Sequence, residues 1–429
     1  MFNKNDAYKD SGVEWLGEVP NSWNVVKLKR VVKEHSGNGF PIELQGNEEG
    51  KIPFLKVSDI SGELKSIQQS SNYVTEKVRK RNKWNLVPKN SLVTGKIGEA
   101  LRKNHRKILL EDSIIDNNCI GIEAIKIDYS FNYYLHKIID FEWFVNPGTI
   151  PSISVSKYKN FKICLPSINE QYAIVNFLDQ KTSEIDQVIA IKEQQIALLN
   201  ERKQIVIQKA VTQGLNSNVA MKDSGVEWIG KIPAHWEVRA NRTIFKERNE
   251  QGQEGLPLLS VSIHSGVSNE EISEEENVRG RIKIEDKSKY ILVKQGDIAF
   301  NMMRAWQGGI GAVSVDGMVS PAYIVAKPNK FMNSEFFEYQ YRCPEFIQQM
   351  DRYSKGITDF RKRLYWDGFK QLMTIVPPID EQQEIINYIK KLDEQIAFAI
   401  DVKKQQIEKL KEYKTTLIND AVTGKIKVA

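Results

Sequence analysis

Two clusters in this chain are rich in side chains of the kinds suited to nucleic acid. In the first, Lys96, Arg102, Lys103, His105 and Arg106 crowd a glycine-bearing loop that follows an apolar run. In the second, Asn301-Met-Met-Arg304-Ala-Trp306-Gln307-Gly-Gly combines amide, guanidinium and aromatic groups. Arginine, glutamine and asparagine are the side chains that make paired hydrogen bonds to guanine or adenine edges. Each cluster has a later companion. One is the polar loop Gly148-Thr149-Ile-Pro-Ser152, with Lys157 just beyond it; the other is Gly356-Ile-Thr358-Asp-Phe-Arg361-Lys362-Arg363-Leu-Tyr365. The triplet Arg361 to Arg363 suits backbone phosphates, which hold a protein on a duplex without reading its sequence. For any single residue in these loops, a solvated charge is the alternative reading.

Catalytic patterns are missing. There is no Gly-x-x-x-x-Gly-Lys-[Ser/Thr] phosphate loop and no Gly-x-Gly-x-x-Gly after a strand. The Asn-Pro-Pro-[Tyr/Phe] string with which amino-methyltransferases hold a target base is absent, Asn146-Pro-Gly being the nearest. His35, His105, His136, His235 and His264 show no metal-ligand spacing, and Cys119, Cys164 and Cys343 lie far apart. Neither a catalytic site, a metal site nor a disulfide is expected. The acidic residues crowd helical stretches, where helical charge pairs account for them.

The elements that must position these loops are repeated. Leu165 to Gly214 returns as Val376 to Lys425 without a gap, at an offset of 211 residues. Neither copy contains a proline after its opening Pro166 or Pro377-Pro378, and neither has a glycine before its end, at Gly214 and Gly424, which predicts a long helix started by proline and stopped by glycine. Every seventh residue from Leu178 gives Leu178, Ile185, Lys192, Leu199 and Val206; four later the row is Thr182, Ile189, Ile196, Lys203 and Ala210. The second copy gives Ile389, Ile396, Lys403, Leu410, Leu417 and Asp393, Ile400, Ile407, Lys414, Ala421. Matching heptads with lysines in one register predict a coiled coil between the copies, the polar positions favouring one alignment. The bland alternative is a helix lying on an ordinary domain core.

A second repeat opens each half. Lys9-Asp-Ser-Gly-Val-Glu-Trp-Leu-Gly-Glu-Val-Pro-Asn-Ser-Trp-Asn-Val25 recurs as Lys222-Asp-Ser-Gly-Val-Glu-Trp-Ile-Gly-Lys-Ile-Pro-Ala-His-Trp-Glu-Val238. It reads as a small packed cap; a base-stacking platform is the alternative. Between cap and helix lie bodies of fainter likeness, Ile52–Ser58 against Leu256–Ser262, Leu86–Val93 against Ile291–Ile298 and Ile115–Ile122 against Met318–Val325. These β-branched runs bounded by Gly, Asn and Pro predict strands. Helices are expected near Phe131–Phe144 and Ser334–Met350.

At 429 residues there is room for several cores. A net charge of +6 leans toward a polyanionic partner without establishing one. No run of about 18 uncharged apolar residues occurs and the first residues lack a signal-peptide core, so a cytoplasmic protein with no membrane partner is expected.

The glycine-threonine loops, the Pro-x-Ile-x-Glu-Gln box at Pro166 to Gln171 and Pro377 to Gln382, the long helix and the closing Ala-Val-Thr, each present twice, resemble the DNA specificity subunit of a type I restriction-modification system. The resemblance spans nearly the whole chain. It implies an α+β fold in which two mainly β target recognition domains are separated by two long antiparallel coiled-coil helices in a pseudo-two-fold repeat. The expected boundaries are 1–164 for the first domain with its cap, 165–215 for the first helix, 216–375 for the second domain and 376–429 for the second helix. It implies that the chain binds double-stranded DNA and is not itself catalytic. Two modification subunits would dock on the helices and bring S-adenosylmethionine, and restriction subunits would supply ATP- and magnesium-dependent translocation and cleavage. Ile185, Ile189, Ile196, Leu199, Ile396, Ile400, Ile407 and Leu410 are the expected seam and partner-facing positions. The first body has no triplet matching Arg361 to Arg363, only Ser152 and Lys157, so contacts do not transfer between halves. A helix from Asp179 to Thr212 would be roughly 50 Å long, spanning about 15 base pairs, and antiparallel pairing would match the dyad of a duplex. A coiled-coil adaptor that binds only proteins is the competing function.

Overall fold

The computed structural model describes residues 4–62, 64–146, 148, 151–269, 289–329, 332–356 and 362–428. Thr358 and Arg361, along with Thr149, lie outside the described residues. The chain forms two compact units, Met1–Lys192 with Gln405–Ala429, and Glu193–Lys404. Each unit therefore takes a cap, a body, and a stretch of both long helices.

In the first unit the cap is the hairpin Tyr8–Asp10 with Glu18–Pro20. Strand Asn24–Lys27 then pairs with Lys162–Leu165, the strand that leads into the first long helix. The body holds a four-stranded antiparallel sheet in the order Val32–Ser36, Cys119–Ala124, Leu92–Gly95, Lys107–Ile108. Ile52–Leu55 lies in a second sheet between Tyr73–Val74 and Ile114–Ile115, pairing parallel with the latter.

The second unit repeats this plan. Met221–Asp223 pairs with Lys231–Pro233, and Glu237–Ala240 with Met373–Val376. Its four-stranded sheet runs Phe245–Glu247, Tyr323–Pro328, Ile298–Asn301, Ile310–Ala312. The similar runs noted in the sequence fall in corresponding strands, two of them one residue out of register: Phe54 bridges Ile114 in parallel as Leu258 bridges Met318, where the sequence match sets Ile115 against Met318, and Leu92 stands where Ile298 does, where the match sets Val93.

Each expected body helix is broken in two. The first covers Tyr129–Ile138; Asp140 then caps a separate 3-10 turn, Phe141–Phe144, by accepting the Glu142 N–H. The second is two helices, Ser334–Tyr341 and Pro344–Tyr353. Pro344 has no N–H to continue the preceding turn and restricts Cys343 to extended backbone, so the helix restarts there.

The long helices cover Ile168–Gln213 and Ile379–Val422. In the first unit, Leu178 and Ile185 of the first helix share a core with Leu417, Ala421 and Val422 of the second, with Ile189 and Leu410 packed against it. In the second unit Ile207, Ala210 and Val211 share a core with Ile385, Ile386 and Ile389. Ile396 and Ile407 are buried, while Ile196, Leu199 and Ile400 are half-covered. Within each unit the helix stretches run antiparallel, as their cross-links require: Lys192 to Gln406 and Lys414 to Asp186 in one, Lys403 to Gln195 and Lys203 to Asp393 in the other. The seam lysines thus lay their stems along apolar surface and carry the charge to its edge.

Both helices stop at glycine in the left-handed region, Gly214 at φ 76° and Gly424 at φ 77°. A side chain at either would strike a cap tryptophan: a Cβ on Gly214 would lie 3.2 Å from the Trp236 ring, and one on Gly424 3.0 Å from Trp23 and 2.6 Å from Pro20. The three cysteines are free and buried. Among the described residues no helix is long and apolar enough to cross a membrane.

Candidate nucleic-acid interface

The repeated Pro-x-Ile-x-Glu-Gln box joins each body to its helix. In the first unit Glu170 accepts hydrogen bonds from the Ser167 N–H and hydroxyl, forming a capping box, and from the Trp23 indole at 3.1 Å. Burial alone would raise its pKa, but these donors outweigh it and hold the carboxyl below its ordinary value. Gln171, 2% exposed, donates to the Pro166 carbonyl and accepts from the Asp128 N–H, the cap of helix Tyr129–Ile138. The second box is built alike: Trp236 donates to Glu381, and Gln382 bridges the Pro377 carbonyl and the Asn333 N–H. One buried amide therefore fixes the last strand, the long helix and the body helix together. The cap tryptophans Trp23 and Trp236 are accordingly packing residues, 3% and 0% exposed.

On this frame, two loops far apart in sequence are knitted together in each body. In the first, Ile153 donates to the Lys96 carbonyl at 3.0 Å and Gly98 to the Pro151 carbonyl at 2.8 Å, with Ile97 bridging Ser152. In the second, Leu364 donates to the Met302 carbonyl at 2.9 Å. The sheet registers make these the same place. Gly95 pairs with Cys119 and Asn301 with Tyr323 at the ends of corresponding strands, each just before its loop.

The first body presents an uneven set. Lys103 and Lys157 are exposed, Lys96, His105 and Ser152 half-buried. Arg102 lies 3.2 Å from Glu142, so its charge is already partnered. Lys157 reaches the Val145 carbonyl at 3.3 Å.

Arg106 does not belong to this surface. It is 2% exposed, donates to the His136 and Ile139 carbonyls at 3.1 and 3.0 Å, and lies over the Phe141 ring at 4.2 Å. It also donates to the Asn104 side chain, which holds Asn104 at φ 55°. Burial pushes its pKa down to about 9, still above neutrality, so the guanidinium stays charged. Those carbonyls at the helix end lack intrahelical partners, and an arginine fork satisfies several at once. The residue expected on DNA is instead the clamp that shapes the loop beside it.

In the second body Arg304 is exposed and donates to Gln307 Oε1 at 2.8 Å, so the two present a joined edge. The Asn301 side-chain oxygen is occupied by the Met303 N–H, and the Trp306 indole by the Met303 carbonyl. Both shape the turn. Lys362 lies over Trp306 at 5.2 Å and pairs with Asp351 at 2.7 Å, bringing the two loops together. Arg363 exchanges backbone hydrogen bonds with Lys355 and donates from its guanidinium to the Lys362 carbonyl, while Tyr365 is 48% exposed. Sequence reasoning missed Asn104, Glu142 and Asp351, whose only signal is proximity in the fold. Among the described residues no group of three or more His, Cys, Asp or Glu side chains is placed to hold a metal ion.

Comparison with known proteins gives a consistent picture. Residues 20–201 match the family described as the type I restriction modification DNA specificity domain. Over 434 residues the chain is 24% identical to the type I restriction enzyme MjaVIII specificity subunit of Methanocaldococcus jannaschii, covering 96% of this chain and 94% of the relative. The EcoBI specificity subunit of Escherichia coli is 22% identical over 417 residues, covering 92% and 84%. Among solved structures, a chain from work on complex assembly and conformational transition of the type I R-M system gives a TM-score of 0.64 at 13% identity, over 94% of this chain and 98% of that one. The HsdS subunit from Thermoanaerobacter tengcongensis gives 0.53 at 12% identity, over 95% and 98%.

Proposed function

We propose, on the premise that this chain belongs to the family of type I restriction-modification DNA specificity subunits, that its two bodies read two short DNA sequences with an unread gap between them. The observation that carries this reading is the knitted loop pair. The backbone link is common to both bodies, yet Lys96 stands where the other has Met302, and Ser152 where the other has Arg363. A constant frame with different side chains is what reading two different sequences requires.

The paired helices act as the spacer, and the duplicated seam offers two like docking sites for modification subunits. Catalysis lies with those partners: S-adenosylmethionine and the methylated adenine on modification subunits, ATP and magnesium on restriction subunits. The proposed compartment is the cytoplasm.

Methylome sequencing of a cell carrying this chain with its partners tests the reading. Methylated adenines in a split sequence are expected; unsplit or absent methylation contradicts it. Removal of one matched heptad from both helices should change the gap and keep both half-sequences, and an unchanged gap counts against the spacer role.

A further inference from the structure

One face of the first body carries an arrangement its counterpart lacks. Strands Asn24–Lys27 and Lys162–Leu165 place Lys27 directly opposite Lys162, so both side chains leave the same face. The second body has Ala240 opposite Met373 there. Opposed like charges weaken an antiparallel pair, and among the described residues neither lysine has an ion pair. Lys27 reaches only Asn160 Oδ1, at 3.5 Å.

Beside this pair is an exposed aromatic group. Trp15 of the cap stacks on Phe161 at 5.0 Å, and Trp143 leans on both at 5.7 Å while remaining 46% exposed. A shallow depression of about 510 Å³ opens here, walled by Trp143, Phe161, Lys157, Asn160 and Lys162 among others, with no carboxylate in its wall. In the second body the cap tryptophan Trp228 is covered instead by the Arg352 guanidinium, 4.7 Å from its ring.

We propose that Lys27, Lys162 and Trp143 form an additional contact for a phosphodiester strand of DNA, the two ammonium groups each taking a phosphate and the indole packing on the adjoining sugar. The inference rests on the DNA-reading function above. Three features favour DNA as the occupant. The charge is unopposed. A flat aromatic surface beside cations is the usual platform for nucleotides. The patch also continues the candidate loops: Glu142, next to Trp143, pairs with Arg102, and Lys157 holds the carbonyl of Val145, next to the Asn146 that pairs with Ser152. The contact would strengthen binding without reading sequence.

The test uses the full chain and a duplex of about 30 base pairs of random sequence, titrated across salt concentrations. In the double variant Lys27→Gln, Lys162→Gln the slope of log affinity against log salt should fall by about 2. Trp143→Ala should weaken binding several-fold with the slope kept, and Trp143→Phe should restore most of it. Affinity for the recognised sequence should fall by the same factor as for random DNA. Removing both opposed charges relieves their repulsion, so a melting temperature at or above the wild-type value confirms that the double variant is folded. A folded double variant with the wild-type slope overturns the inference and leaves the function standing. A variant that loses modification-subunit binding while keeping its DNA slope assigns the patch to a protein and also overturns it. A wild-type chain whose DNA binding does not respond to salt sinks the function reading, and this inference with it.

Discussion

The two bodies share one frame and differ in what they hang on it. Frame residues meet one another: Glu170 and Glu381 each hold a cap tryptophan, and Gln171 and Gln382 each bridge a strand end and a helix cap. The candidate loop residues lie at the surface of each body, and there the halves diverge. Divergence also reaches inside. Counting from the matched caps Asp128 and Asn333, His136 and Tyr341 occupy the same helix position. His136 bonds the Tyr158 hydroxyl and the Asn132 carbonyl at 2.8 Å, whereas the Tyr341 hydroxyl bonds Asn241 and Thr374 at 2.8 and 2.7 Å. A fold can thus keep its joints while each half fills the same interior position by different chemistry.

The comparison breaks most visibly at Arg106. Arg106→Ala strips the partners from two buried carbonyls and leaves a cavity against Phe141, so the first unit should lose about 3 kcal/mol. Recognition of the first half-sequence should fail while the second is read normally. Denaturant unfolding together with binding to targets altered in one half checks both parts; equal damage to both halves would remove the clamp role. Arg304→Ala should act in the opposite half, costing about 1–3 kcal/mol of discrimination there, and Arg363→Ala should weaken binding whatever the sequence, each with little change in stability.

Acid should separate the units next. Burial lowers the pKa of His136 to about 3 against an ordinary 6.5, so the unfolded chain takes up a proton that the folded one refuses. The stability is whole above pH 6.5 and falls as pH drops from there toward 3, by up to about 1.4 kcal/mol per unit. Burial moves Tyr341 upward instead, away from this window. Amide protection, corrected for the intrinsic exchange rate, should therefore fall at pH 5 in Tyr129–Ile138 before Ser334–Tyr341; the reverse order would contradict the assignment.

Much of the frame was legible because it was periodic or repeated. The heptad rows could be read by counting, and the glycine and proline ends of the helices follow from backbone sterics. What could not be read depended on distant partners. Arg106 sits in a charge-rich loop and looks exposed until Phe141 and the end of helix Tyr129–Ile138 close over it. The link from Lys96 to Ile153 joins segments with no local pattern in common. Lys27 and Lys162 are unremarkable singly and become informative only once their register places them face to face.

The smallest expected effect lies in the seam, where the lysines occupy matched positions and have unmatched partners. Lys203 pairs with Asp393 at 3.2 Å, both about two-thirds covered. Its counterpart Lys414 would face Thr182, which is engaged with the Leu178 carbonyl at 2.7 Å, and it turns to Asp186 instead, an acid 56% exposed. Lys203→Met leaves a carboxylate in the seam with no cation, which should cost about 1 kcal/mol. Lys414→Met leaves one that faces water, which should cost only a few tenths of that. Thermal melts of the two variants at low and high salt decide it. Equal losses would mean that the seam treats both lysines alike and that the asymmetry of the halves stops at the bodies.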